Sequence, residues 1–71
     1  MAWTTSVNSE MISEVGWDDT TNELIVRFKK NGKTAAYKGY DEDFANQLAN
    51  APSVGQMFIR EVKSNRDFRY V

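Results

Sequence analysis

The stretch LIVRFKKNGKTAAYKG, Leu24–Gly39, decides the fold. Within it, Leu24, Val26 and Phe28 alternate with Ile25, Arg27 and Lys29, which is the period of a strand with one buried face. Asn31-Gly32 follows, and this dipeptide is the best suited to a two-residue type I′ turn. The stretch therefore predicts a β-hairpin whose loop consists of Asn31 and Gly32.

The predicted turn fixes which side chains face each other across the hairpin. With two residues in the loop, Phe28 lies opposite Ala35 and Val26 lies opposite Tyr37. The core side then carries Leu24, Val26, Phe28, Ala35 and Tyr37, and the other side carries Ile25, Arg27, Lys29, Thr34, Ala36 and Lys38. The second set is a basic surface, and it is the first candidate for contact with an anionic partner.

The segment before the hairpin predicts one more strand. MISEVGWDDTTNEL reads as a strand from about Met11 to Trp17, followed by a turn through residues 19–22, whose polar side chains bond their own backbone readily. Together with the hairpin, this strand forms a three-stranded antiparallel meander.

The segment after the hairpin predicts two short helices. Asp41 and Ser53 are suited to the N-cap position, and Gln56 three residues after Ser53 completes a capping-box pattern. The tail RDFRYV alternates again and predicts a short strand or extended arm. The expected fold class is α+β: a three-stranded antiparallel β-meander, two short helices and a short C-terminal strand or arm, in one domain over residues 1–71. The expected core comprises Val26, Phe28, Tyr37, Phe44, Leu48, Phe58 and Val62.

Composition removes most catalytic chemistry. The 71 residues include no cysteine and no histidine, so disulfides, thiolate or imidazole metal ligands and the usual neutral-pH general base are excluded. Turn and cap chemistry account for the acidic clusters at 18–19 and 41–43. We therefore expect no enzyme, no metal site and no cofactor. No apolar run approaches a membrane span and the start lacks the pattern of a signal peptide, so the expected location is the cytoplasm.

Charge is segregated along the chain although the net charge is −1. Residues 1–26 contain acids and no lysine or arginine, whereas residues 27–38 contain bases and no acid. Segregation of this kind produces surface patches, which select partners where net charge does not.

Two features are candidate anion contacts. The first is the basic side of the hairpin, joined by two bases on the second helix. The second is the start of that helix, where free amides attract anions. The candidate ligand-binding residues are Arg27, Lys29, Lys38, Ser53, Gly55, Arg60 and Lys63. A structural interpretation stays open for each: lysines keep a sheet soluble, Ser53 caps a helix, and Gly55 permits a close approach by a neighbouring element or by a ligand.

Several motifs together resemble the KTSC domain. They are Ile12-x-x-Val15-Gly16-Trp17-Asp18, Tyr37-Lys38-Gly39, Ala51-Pro52-Ser53-Val54-Gly55-Gln56-Met57-Phe58 and the closing aromatics Phe68 and Tyr70. The resemblance covers nearly the whole chain. One departure is that the family's central pair of tyrosines two residues apart is Ala35-Ala36-Tyr37 here. The KTSC domain occurs at the carboxyl end of some lysyl-tRNA synthetases and as a small stand-alone protein of bacteria and phages.

The resemblance implies RNA binding, by association with a synthetase, and it is compatible with a phage accessory protein. The residues favour a small non-enzymatic binder of nucleotide or RNA, acting as a homo-oligomer, because we expect Trp3, Trp17 and Met57 to exceed what one small core covers. The alternative is a protein–protein interaction module that binds a host protein or its own copy without a nucleotide. If bases stack on the protein, the exposed aromatics expected to serve are Trp3, Tyr40 and Tyr70.

Overall fold

Five strands and two helices make up the protein, for which the computed structural model describes residues 2–71. The elements are β1 (Ala2–Ser6), β2 (Ile12–Asp18), β3 (Glu23–Phe28), β4 (Thr34–Tyr37), α1 (Glu42–Ala49), α2 (Val54–Glu61) and β5 (Phe68–Tyr70). The strands form one antiparallel sheet in the order β1-β2-β3-β4-β5. The α+β class is confirmed, and so is the closing strand. The meander is longer than expected, because four strands precede the helices rather than three.

The additional strand is β1, which pairs with β2 from Ala2 opposite Asp18 to Ser6 opposite Glu14. Four of its five side chains are exposed. The sequence AWTTS accordingly lacks the alternation of a half-buried strand, and its partner strand, not its own pattern, stabilises it.

The hairpin forms with a different register from the predicted one. Leu24 pairs with Tyr37 and Val26 with Ala35, which moves the pairing by two residues and leaves Lys29–Gly32 as a four-residue loop. In this loop Gly32 has φ +69°, and its amide donates to the Phe28 carbonyl at 3.0 Å. A two-residue turn would have set Lys30 directly opposite Lys33, where like charges repel.

Within β3 and β4, both sides of the hairpin keep their predicted residues despite this correction, because side chains alternate with a period of two and a shift of two residues leaves each on its original side. Lys29 is the exception: it was predicted on the outer side of the strand and lies in the loop after β3. The prediction of a core side and an outer side is therefore confirmed, whereas the predicted cross-strand neighbours are wrong.

Both helix starts are confirmed. The Asp41 side chain accepts a hydrogen bond from the Phe44 amide at 2.8 Å, and the Ser53 side chain accepts one from the Gln56 amide at 3.4 Å. Glu42 and Asp43 lie in the first turn of α1, where their negative charge interacts favourably with the positive end of the helix dipole.

The helices pack on one side of the sheet, here called the helix side. Two rows of residues cross all five strands on this side: Trp3, Trp17, Leu24, Tyr37 and Phe68 in one, and Thr5, Val15, Val26, Ala35 and Tyr70 in the other. Buried residues of β2 to β4 join Ala45 and Leu48 of α1 and Phe58 of α2 in one core. Of the expected core, Phe28 and Phe44 are half-buried and the other five residues are buried. All of β5 is exposed, so the core ends before the last strand.

Gly16 marks the place where β1 and β2 come closest. A Cβ atom on this residue would overlap the main-chain carbonyl oxygen of Trp3 and would lie 2.9 Å from the Cα of Thr4. Main-chain atoms of β1 therefore exclude a side chain at this position, and the glycine permits the close approach of the two strands.

Candidate functional site

A groove of about 600 Å³ opens on the helix side, at the edge of the sheet that the helices leave uncovered. It lies between the β3–β4 loop, the carboxyl end of α2 and strand β5. Five aromatic side chains line it, and we call it the aromatic groove: Phe28, Tyr37, Phe58, Phe68 and Tyr70. Its volume is in the range of pockets that hold small ligands.

The inner wall of the aromatic groove is held by ring contacts. Phe58 of α2 meets Phe28 edge-to-face at 5.6 Å and Tyr37 edge-to-face at 6.0 Å. Phe68 stacks on Tyr37 with ring centroids 4.9 Å apart. These packed rings are a rigid surface, because each is fixed by neighbours from a different element.

The outer wall is exposed. Phe68 is 40% exposed and Tyr70 is 57% exposed, and the two rings meet edge-to-face at 5.6 Å. The ammonium group of Lys33 lies 5.1 Å from the centroid of the Tyr70 ring, within range of a cation–π contact. Adjacent exposed aromatics on a small domain commonly form a binding surface.

Lysines surround the aromatic groove. Lys29 and Lys30 of the β3–β4 loop line it, and so does Lys63, which follows α2. Among the described residues that line it, Glu10 is the acid. The groove therefore combines apolar ring faces with an excess of positive charge, which suits a flat aromatic ligand that carries negative charge.

The Tyr37 hydroxyl is the polar group at the floor of the aromatic groove. Tyr37 is only 4% exposed, and no hydrogen bond of its hydroxyl is found within residues 2–71. Every fully buried polar side-chain atom in this range has a hydrogen-bond partner, so the unpartnered Tyr37 hydroxyl is not fully buried. We infer that it opens into the groove that Tyr37 lines. Burial raises the pKa of this hydroxyl above its ordinary value of 10.0, with smaller contributions from Tyr70 and Tyr40, and the group stays protonated at neutral pH.

The candidate residues of the sequence analysis lie in separate places. Lys29 and Lys63 line the aromatic groove. Ser53 and Gly55 line a second cavity of about 390 Å³ at the start of α2, and Ser53 and Arg60 line a third of about 210 Å³. Arg27 and Lys38 lie on the outer side of the sheet, away from both helices. The seven residues therefore do not form one surface.

The second cavity lacks positive charge. Its lining includes Glu10, and no lysine or arginine of residues 2–71 is part of it. A Cβ atom on Gly55 would lie 3.2 Å from the Ser9 hydroxyl, which itself accepts hydrogen bonds from the Met11 and Ile12 amides. The close approach expected at Gly55 thus comes from a neighbouring loop.

The outer side of the sheet is balanced in charge. Arg27 pairs across the strands with Glu14. Arg69 forms an ion pair at 2.9 Å with Glu23, whose side chain is buried. The hydrogen bond from Arg69 lowers the pKa of Glu23, and the same bond raises the pKa of Arg69. Acids from β2 and β3 therefore offset the bases that looked unopposed along the hairpin.

Two of the three aromatic side chains expected to stack on bases instead form hydrogen bonds within the protein. The Trp3 indole N–H donates to Glu42 at 2.7 Å, and the Tyr40 hydroxyl donates to the Glu61 carbonyl at 2.9 Å. Tyr70 does line the aromatic groove. Phe68 and Lys30 were missed as site residues. The available signal was the alternation of RDFRYV, which places Phe68 and Tyr70 on one side of a strand.

Residues 2–71 contain no group of three or more acidic, cysteine or histidine side chains that could hold a metal ion. In the same range no helix is long and apolar enough to cross a membrane.

The architecture defines a class of small α+β domain, in which two helices cover part of one side of a five-stranded antiparallel sheet and leave an aromatic edge open. Comparison with known proteins names the family. The KTSC domain model matches residues 8–68, and the chain belongs to the KTSC domain family. A crystal structure of a KTSC domain protein from Yersinia pestis superposes with a TM-score of 0.85 at 25% sequence identity, over 100% of this chain and 99% of that one. No curated protein matches the chain.

Proposed function

We propose that the protein is a small, non-enzymatic cytoplasmic protein that binds nucleotide or RNA ligands in the aromatic groove. The observation that carries the proposal is the pair of exposed rings, Phe68 and Tyr70, beside lysines from two other elements. Nucleic-acid bases stack on aromatic side chains, at about 1–3 kcal/mol per base, and phosphates are attracted to lysines.

The distribution of charge supports this location over the two that the sequence favoured. The start of α2 offers free amides, but the cavity there contains Glu10 and none of the described lysines or arginines. The outer side of the sheet carries Arg27 and Lys38 together with Glu14 and Glu23. In the aromatic groove three lysines face one acid.

Fluorescence anisotropy with labelled single-stranded RNA hexamers, beside mononucleotides and cyclic dinucleotides as competitors, tests the proposal. We expect Phe68→Ala to weaken RNA binding by about 5- to 150-fold, the equivalent of one lost stacking contact. Affinity should also fall steeply with added salt.

Ile59→Ala is the matched control, because Ile59 is 46% exposed and lines the cavity at the start of α2 instead of the aromatic groove. Its affinity should equal that of the parent. If Ile59→Ala binds RNA more weakly and Phe68→Ala binds it as the parent does, the ligand binds at the start of α2 and the proposed binding in the aromatic groove is refuted. Thermal melting of each variant confirms that it is folded.

The alternative function is a protein–protein interaction module, for a host protein or a second copy of the chain. The observation that favours it is β1, an edge strand of five uncharged residues whose outer backbone groups have no strand beside them within residues 2–71. Such an edge is a template for strand addition. A phage accessory role fits either function.

A further inference from the structure

The Tyr37 hydroxyl has the properties of a recognition group. Its ring is held by Phe58 on one side and by Phe68 on another, so the hydroxyl has a fixed position at the floor of the aromatic groove. The residue is 4% exposed, and its hydroxyl has no hydrogen-bond partner within residues 2–71. A polar group held in this way gains a partner when a ligand enters.

We propose that Tyr37 reads the base: its hydroxyl forms a hydrogen bond to the edge of one unpaired base that stacks on Tyr70 in the aromatic groove. This inference rests on the proposed function and adds the residue that determines specificity. Stacking does not distinguish one base from another strongly, because every base has a flat face. A fixed hydroxyl does distinguish them, because the bases differ in the donors and acceptors along their edges.

The lysines indicate how the rest of the ligand lies. Lys29 and Lys30 are on the β3–β4 loop and Lys63 follows α2, so lysines from two separate segments line the aromatic groove. We expect these two segments to contact different phosphates, on either side of one nucleotide. This arrangement favours a single strand over a free mononucleotide, which has a phosphate on one side only.

A tyrosine-to-phenylalanine pair tests the inference. Tyr37→Phe keeps the ring and removes the hydroxyl, and its stability should equal that of the parent because no protein partner is lost. Tyr40→Phe is the matched control: it removes a hydroxyl that donates to the Glu61 carbonyl and lies outside the aromatic groove. The affinities of parent and variants are measured with RNA hexamers of A, C, G and U and with the four mononucleotides.

We expect the parent to prefer one base, and Tyr37→Phe to bind that hexamer about tenfold more weakly while binding the others as the parent does. Tyr40→Phe should keep the affinity and the preference of the parent. If mononucleotides bind as tightly as hexamers, the expected preference for single-stranded RNA is refuted. Recognition of the base by Tyr37 is still supported in that case if Tyr37→Phe loses the base preference.

Two outcomes overturn the inference at different levels. Equal affinities and equal base preference for the parent and Tyr37→Phe refute base reading, whereas the proposed function stands if Phe68→Ala still weakens binding. No binding of any RNA or nucleotide by the folded parent refutes both.

Discussion

Gly16 and Gly55 are both glycines inside regular elements, yet their surroundings differ. At Gly16 the nearest atoms are main-chain atoms of Trp3 and Thr4, which cannot move without shifting β1. At Gly55 the nearest atom is a side-chain hydroxyl, that of Ser9. The sequence indicated that something approaches Gly55 closely, but it could not identify Ser9, because the contact joins residues 46 positions apart only after the sheet and α2 have packed.

The two glycines should therefore respond differently to alanine. We expect Gly16→Ala to lower the free energy of unfolding by about 1–3 kcal/mol, because backbone must be displaced to make room. Gly55→Ala should change it by less than ~1 kcal/mol, because the gain in helix propensity offsets a small shift of the Ser9 side chain. Urea unfolding of both variants beside the parent measures the difference. Equal midpoints for the two variants would contradict this account.

The elements differ in how well their sequence predicts them. The two helix starts were predictable because a cap is a local feature, complete within four residues. The hairpin register was not, because Asn31-Gly32 favours a two-residue turn while the neighbouring Lys30 and Lys33 oppose it. β1 was missed because an exposed edge strand needs no apolar period. Local chemistry thus predicted element type, and packing decided register and the edge.

Strand β5 is joined to the sheet by a charge pair as well as by backbone. Arg69 on β5 reaches over β4 to Glu23 on β3, whose side chain is 1% exposed. Arg69 keeps the pKa of Glu23 below its ordinary value of 4.5. A group whose pKa is lowered by folding stabilises the folded state above its unfolded pKa, and the stabilisation is lost as pH falls through the folded value.

We therefore expect the melting temperature of the parent to fall as pH drops below about 4.5. The Glu23→Gln variant should be less stable than the parent at pH 7, and its melting temperature should depend less on acid pH. The measurement is the difference in melting temperature between parent and variant from pH 7 to pH 3, which should shrink across the acidic range. Glu61→Gln is the control, because its pair with Arg60 at 3.7 Å is exposed on both sides and contributes little. A difference between parent and Glu23→Gln that is constant with pH would refute the role of the Glu23 carboxylate.

At the scale of the whole molecule, the aromatic groove could be predicted only in part. Phe28, Tyr37 and Phe58 have the pattern of core residues, and Tyr37 and Phe58 are indeed buried. These rings line a groove because the helices leave β5 uncovered, and this arrangement exists only in the assembled fold, not in any single segment. The lysines of the β3–β4 loop were recognised as basic, but the sequence placed Lys29 on the outer side of a strand and not in a loop beside the groove.

Self-association is a further expectation at the scale of the whole molecule. The sequence argument used the two tryptophans, but Trp17 is buried and Trp3 packs on the core. The reason to expect self-association is now the edge of β1, since pairing of this strand between two copies would make one symmetric dimer. Light scattering at high micromolar concentration should give twice the mass of the 8.1 kDa chain, and Thr5→Lys should return it to a single chain. A single-chain mass for the parent would contradict the expectation.

The order of strands has a bearing on the route by which the chain folds. β1 to β4 are neighbours both along the chain and in the sheet, so each can pair by closing a short loop, and such local pairing is fast. β5 is different, since it reaches β4 only after the thirty residues 38–67 have been folded back, at a larger cost in loop-closure entropy. The four-stranded meander can thus be complete while β5 is still detached. Backbone amides of Phe68–Tyr70 should accordingly exchange with deuterium sooner than those of β2 and β3. The exposed wall of the aromatic groove is then expected to be the last part of the molecule to assemble.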